Sequence, residues 1–405
     1  MNTNTVKENN KWYILALAII TYLFIAGMMR LSMVVLFKEM SIDLNLSLVD
    51  IGAVWGMDPL AGVFVSLIGG LLVDRFGIRK TVAVVCLLAG IIGALRGLAS
   101  DFTSLSATMF AFGLMVAMIP SILPKVTAVW FSGRYLAITN ASLFIAMSLG
   151  GMIGTIISAT TLSPLLDGWR NVLFVISIPA IIIALLWFFT TREIKGTTLS
   201  SINVEPVKLK EAVSHVVKIK SVWLVGLLGL TQMGAMLGTF AYLPIYLRDQ
   251  GWTTMGADGA VTMVIGLSCI STIPVVLLSG KMKSHKLMLV LTIIITSLCL
   301  GLFSFFDGIV FWILLGIYSL LRMVPLSLVN TIIIENKNVG GRYAGTAIGL
   351  SNTLGMLGGF FFPMLGNSMA VIFPSLSFIF WAAMCLIALA GLFFTTKEAD
   401  YPIAE

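Results

Sequence analysis

Residues 70–80 read Gly70-Leu71-Leu72-Val73-Asp74-Arg75-Phe76-Gly77-Ile78-Arg79-Lys80. One acid and three bases crowd into this stretch, while residues 51–73 and 81–95 on either side are almost uncharged. Charge at that density does not lie in hydrocarbon, so the stretch marks a membrane surface between two spans.

The rest of the chain agrees. Of its 405 residues 59% are hydrophobic and 11% are charged, about half the charged share of a soluble domain. About 20 apolar residues cross a bilayer as a helix. Spans are expected near 12–37, 48–73, 81–100, 102–130, 136–161, 170–190, 221–247, 257–279, 287–306, 308–334, 342–369 and 373–396. The runs are continuously apolar rather than alternating, which favours helices over a barrel. The first run lacks a small-residue cleavage site and is too long for a signal-peptide core, so it is read as an uncleaved span.

Net charge is +7, and its placement gives topology. With an even number of spans, 18 of the 25 Lys and Arg fall in the tails and inside loops; Lys38, Arg170 and Arg248 fall outside. Arg30, Arg96, Lys125 and Arg322 fall within spans. This bias places both termini in the cytoplasm. No nucleic-acid motif accompanies the bases. Cys86, Cys269, Cys299 and Cys385 lie far apart within apolar spans and read as small buried hydrophobes, with neither metal spacing nor a disulfide framework.

Residues 192–220 are the longest polar stretch, with Pro206 among them. They divide the chain into a six-span bundle over 1–191, a cytoplasmic linker over 192–220 and a second six-span bundle over 221–405. An interfacial amphipathic helix fits near Val207–Lys218. The halves read as repeats: Gly133-Arg134-Tyr135 recurs 208 residues later as Gly341-Arg342-Tyr343, and the same offset carries Gly150-Gly151 onto Gly358-Gly359. Pro120 and Pro124 in span four have a counterpart in Pro325 of span ten, where a static bend is expected. Gly150, Gly151 and Gly154 in span five, and Gly345, Gly349, Gly355 and Gly359 in span eleven, suit close helix packing.

The charged stretch resembles the signature loop between the second and third helices of the major facilitator superfamily, a Gly followed by Asp-Arg-x-Gly-x-Arg-Lys. The resemblance implies an all-α membrane protein of twelve helices in two pseudo-symmetric six-helix bundles, working as a secondary transporter by alternating access. Gly70, Asp74, Arg75, Gly77, Arg79 and Lys80 would then form a conformational loop, with Asp74 and Arg75 as a cytoplasmic latch. Three shorter pieces, Met29-Arg30-Leu31, Gly93-Ala94-Leu95-Arg96, and Ile119-Pro120-Ser121-Ile122 with Lys125, resemble the cyanate permease-like branch. The glycine-rich span five of nitrate/nitrite porters and the span-eight base of oxalate or monocarboxylate porters are not found.

Charges within spans are expensive and mark candidate sites. Arg322 lies 15 residues after Asp307 and 13 before Glu335, close to mid-membrane. Arg30 and Asp58 lie at similar depths; either they form an ion pair holding span one to span two, or Arg30 meets the solute while Asp58 tunes it or carries a proton. Arg96 is close enough to Asp101 to snorkel outward, and Lys125 to snorkel inward. Four bases against one mid-span acid favour an anionic solute, which Arg grips in bidentate fashion. The candidate binding residues are therefore Arg30, Arg322, Asp58, Arg96 and Lys125. The rival is efflux of a neutral metabolite or a cationic drug, for which Trp55, Phe240, Tyr242 and Tyr246 would line the path. His215 and His285 fall in loops, and no nucleophile–base pair or metal cluster is seen, which argues against an enzyme. A monomer in the inner or plasma membrane is expected, with no cofactor; coupling to protons or to a counter-anion is left open.

Overall fold

The computed structural model describes residues 3–65, 72–73, 75–191, 209–279, 285–335 and 339–395. Among them there is helix and no strand. With no water in hydrocarbon, each apolar run satisfies its backbone internally, which leaves the helix as its solution.

Span one runs unbroken through Thr3–Thr21, a π-helical stretch Tyr22–Met29 and Arg30–Asp43. Span two is Leu48–Val65, and span three is Ile78–Leu95 with a closing 3-10 turn Arg96–Leu98. Span four is Phe102–Val116 and Ile119–Trp130; span five is Gly133–Ile157 with the π-helical turn Ser158–Leu162; span six is Trp169–Thr190. Spans seven to nine are Lys220–Asp249, Thr254–Ser279 and His285–Leu302. Span ten is Gly308–Leu321 and Val324–Glu335, span eleven Gly340–Ala370, and span twelve Leu376–Thr395. Ten helices among the described residues are long and apolar enough to cross a membrane, and two more, Leu287–Leu302 and Leu376–Ala390, are apolar but shorter. This is an all-α membrane fold consistent with twelve spans.

The chain divides into two compact units. Unit 1 is Met1–Ser47, Met57–Ile202 and Leu247–Thr262; unit 2 is Leu48–Gly56, Asn203–Tyr246 and Met263–Glu405. Each unit thus includes one short segment from the other half of the sequence.

The glycines do the same work in each unit. In unit 1, Gly150 sits so close to the Leu23 carbonyl that no Cβ fits, and Gly154 would bring a Cβ to 2.8 Å from the Met28 carbonyl. In unit 2, Gly358 presses on the Leu230 carbonyl in the same way, and a Cβ on Gly234 would lie 2.9 Å from the Gly358 carbonyl. Leu23 and Gly27 therefore correspond to Leu230 and Gly234, 207 residues on. Close backbone approach drives helix association in lipid, where apolar burial offers little. Gly345 and Gly349 face open space and take no part in this packing.

The bends of spans four and ten also match. Each helix stops for two residues, Ala117–Met118 and Arg322–Met323, and restarts with proline as its second residue, Pro120 and Pro325. Proline lacks an N–H and is at home in a first helical turn. The bend therefore precedes each proline rather than lying at it. In the linker, Leu209–Val216 is helical and buries Ala212 and Val216, and His215 stacks on Tyr343 at 4.3 Å.

Candidate functional site

Two arginines of unit 1, Arg30 and Arg96, gather around one acid, Asp58. Arg30, the first residue after the π-helical stretch, donates from Nε to Asp58 Oδ2 at 2.7 Å, and its terminal nitrogen also pairs with that oxygen. Asp58 is buried, 2% exposed, whereas the Arg30 side chain keeps 26% exposure. Span four reaches Asp58 because Gly113 has no side chain: a Cβ there would lie 2.8 Å from the Asp58 Cα.

Arg96 does not snorkel. It is 0% exposed. Its guanidinium donates to the Gly93 carbonyl at 3.2 Å and the Met29 carbonyl at 3.3 Å, lies 3.8 Å from the Met109 sulfur, and caps the Phe112 ring at 3.8 Å. Asp58 attracts it electrostatically. Packing won over the short route outward because carbonyls and a ring face already cradle the cation. Arg30, Arg96 and Asp58 thus form one group of two bases and one acid, and the ion-pair reading of Arg30 and Asp58 describes their geometry. Lys125 is half-buried on Ile119–Trp130.

Arg322 is solved differently. It is 6% exposed and caps the C-terminus of Gly308–Leu321, where the helix breaks. A helix C-terminus carries about half a negative charge, which favours a cation. Its Nε donates to Ser268 Oγ at 2.7 Å, and its guanidinium lies over the Phe240 ring at 4.6 Å. Among the described residues, Arg322 forms no ion pair with a carboxylate. It lines a cavity of about 10 Å³ with Gln232, Thr296, Ser297 and Tyr318, room for about one water. Gln232 Nε2 and Ser297 Oγ are buried there without hydrogen-bond partners. A positive cavity with spare donors is what an anion recognises.

The aromatic residues near these charges are mostly structural. Trp55 is buried and donates to the Leu237 carbonyl at 3.1 Å. Tyr242 and Tyr246 pack with Phe378, and Tyr242 also meets Trp381 edge-on. Phe240 faces a candidate charge, Arg322.

Of the signature loop, Gly70 and Asp74 lie outside the described residues. Gly77 has φ 83° and ψ 163°, a conformation open to glycine, and starts Ile78–Leu95. Arg79 donates to the Phe188 carbonyl at 2.6 Å and caps that ring at 4.7 Å, tying the loop to the end of span six. Arg75 lies over its neighbour Phe76 at 5.3 Å, and Lys80 is exposed. Of the cysteines, Cys86, Cys299 and Cys385 are buried and Cys269 is half-buried, all as free thiols.

A family model for the Major Facilitator Superfamily matches residues 18–363. The chain belongs to the Major Facilitator Superfamily. It is a multi-pass membrane transporter of a small molecule and not an enzyme. Among curated proteins it is similar to the Hexuronate transporter of Bacillus subtilis (strain 168), 23% identical over 185 residues; the match spans 44% of this chain and 42% of that relative. Its fold is similar to that of a bacterial homologue of the human lysosomal transporter Spinster, solved inward-facing and occupied (TM-score 0.73, 16% identity, 97% of this chain and 99% of that one). It also resembles a mutant of the nucleoside transporter NupG (TM-score 0.78, 14% identity, 94% and 99%).

Sequence reasoning for this superfamily member missed Gln232, Ser268 and Ser297. The available signal was weak: single polar residues within apolar runs, on spans seven, eight and nine. It also placed Arg248 in an outside loop, whereas Arg248 lies in the last turn of Lys220–Asp249 with its side chain 11% exposed and paired with Asp258.

Proposed function

We propose that this transporter carries a small organic anion, a carboxylate of the sugar-acid type, with Arg322 as the residue that meets its charge. The observation that carries this reading is the Arg322 cavity: a buried cation without a carboxylate partner among the described residues, beside the unpartnered donors of Gln232 and Ser297. Arg322 would take the carboxylate, and Gln232 and Ser297 the hydroxyls or the remaining oxygen. The limited likeness to a hexuronate transporter supports the same class. A cavity of about 10 Å³ is too small for such a solute, so binding requires the spans around it to part. That fits alternating access of the halves 1–191 and 221–405 about the linker, working as a monomer in the cell membrane with both termini cytoplasmic.

The test is thermal stabilisation of the purified protein by glucuronate, gluconate, lactate, glucose and a cationic drug, with wild-type and Arg322→Gln. A carboxylate at 100 times its dissociation constant stabilises by about 2.7 kcal/mol. The expected result is stabilisation by a carboxylate that Arg322→Gln abolishes, with glucose inert. Stabilisation by glucose or the drug, unchanged in Arg322→Gln, would replace this reading with neutral-solute or drug transport and leave Arg322 structural.

A further inference from the structure

The linker helix Leu209–Val216 and the start of span seven both belong to unit 2. A tight turn joins them: Val217 N–H donates to the Val213 carbonyl and Ile219 N–H to the Val216 carbonyl, each at 3.0 Å. One face of the helix packs on span eleven. Ala212 and Val216, four residues apart, are buried, and His215 stacks on Tyr343 in the first turn of Gly340–Ala370. That stacking sets the helix level with the end of a span, at the membrane surface.

The neighbouring face is apolar, yet the protein leaves it open. Val213 and Val217 are exposed. Trp223 Nε1 donates to the Val217 carbonyl at 2.8 Å, which lays the indole beside that turn, and Trp223 is itself exposed. Leu227, one turn further along span seven, is exposed as well. Each step from Leu227 to Val213 is either four residues along a helix or the indole hydrogen bond, so the four form one stripe. Apolar side chains on the outside of a span meet acyl chains, and the stripe carries that surface from span seven onto the linker helix. At the bend, Lys218 and Lys220 are exposed. Among the described residues neither forms an ion pair. Glu211, the acid of this helix, lies in its first turn, about 10 Å along the axis from Lys218.

We propose that this corner binds the headgroup of an anionic phospholipid in the leaflet it faces. Val213, Val217 and Leu227 enter the acyl boundary, and Trp223 sits at headgroup depth. Its indole N–H is already taken by the Val217 carbonyl, so the ring needs no water there. Lys218 and Lys220 hold the phosphate as point charges. A zwitterionic headgroup carries its own ammonium, which repels the lysines, and an anionic headgroup does not. Each lysine beside an anionic surface strengthens binding about fivefold, so the pair contributes about thirtyfold. Anionic lipid thus holds the linker helix, and through His215 and Tyr343 the first turn of span eleven, at the membrane surface, whatever the solute is.

Hydrogen–deuterium exchange on the full-length protein tests this in nanodiscs of phosphatidylcholine alone and of phosphatidylcholine mixed with phosphatidylglycerol. Peptides covering 209–223 should exchange more slowly with phosphatidylglycerol present, by up to about thirtyfold, while those covering 308–321 stay constant. Lys218→Gln combined with Lys220→Gln should lose the difference, and Lys218→Arg combined with Lys220→Arg should keep it. Equal exchange in the two nanodiscs, or a difference that survives in the glutamine variant, would overturn the proposal. Inorganic phosphate added to the phosphatidylcholine nanodiscs should leave 209–223 unchanged. Protection by phosphate would assign the lysines to a free anion and overturn the lipid as their ligand.

Discussion

The Arg30–Asp58–Arg96 group makes an asymmetric prediction. Asp58 is the one acid of the three and is 2% exposed. Asp58→Asn strands Arg96, which is 0% exposed and otherwise rests on two carbonyls, a sulfur and a ring. An uncompensated buried charge costs about 3–5 kcal/mol. Arg30 is a quarter exposed, so water screens its share, worth about 1 kcal/mol or less. Arg30→Gln leaves Asp58 still facing Arg96 and should cost about 1–2 kcal/mol in lost hydrogen bonds. Once Asp58 is gone, losing Arg30 removes a stranded charge. The double variant should therefore cost no more than Asp58→Asn alone, a non-additivity of about 1–2 kcal/mol. Reversible unfolding in mixed micelles measures all four corners of the cycle. Equal losses for the two single variants, or strict additivity, would refute the idea that Asp58 serves both arginines.

Three further outcomes follow from the geometry. Ser268→Ala removes the acceptor of Arg322 Nε, 2.7 Å away; losing a hydrogen bond to a charged group should weaken anion binding by about 1.5–3 kcal/mol, read by titrating the stabilising carboxylate. Gly150→Val and Gly358→Val should each force a helix pair apart and destabilise by about 1–3 kcal/mol or more, whereas Gly349→Ala, facing open space, should be neutral in the same melt. Asp101 caps Phe102–Val116 by accepting from Ser104 N–H at 2.8 Å, which holds its carboxyl below the usual range. A depressed folded-state value means that this stabilisation is present above the unfolded value of about 3.9 and is lost as pH falls below it. Hydrogen exchange at residues 100–106 should rise in Asp101→Ala at pH 7, with the difference from wild-type vanishing in acid.

The fold was largely legible because hydropathy and charge act along the chain: uncharged runs had to be helices, and bases had to mark their ends. The repeat was legible for a related reason. Gly150 and Gly358 occupy the same place against Leu23 and Leu230, and a backbone contact of that closeness admits only one residue type. Partners were less legible. Arg30 and Asp58 could be matched by depth. The fate of Arg96 depended on Met29, Met109 and Phe112, residues whose types carry no such signal. Arg248 and Asp258 were hidden at span ends, where charges are ordinarily wet. Their burial comes from the docking of 247–262 within unit 1, a tertiary fact that no window of sequence contains.

The two buried cation sites also explain why one arginine is favoured over the others for a solute. A cation already neutralised by an acid has little field left to offer, and an anion binding there must compete with the carboxylate. Arg30 pairs with Asp58 in this way, and Asp58 also attracts Arg96, although no ion pair joins those two. Arg322 is kept in place by weaker means: a helix C-terminus, a serine hydroxyl and a ring face. Those interactions are enough to tolerate the charge, yet none of them neutralises it. An arriving carboxylate would find a cation whose burial is already offset by the fold, together with two donors that have no other partner. Affinity for an anion should therefore depend much more on Arg322 than on Arg30, although both are arginines within spans.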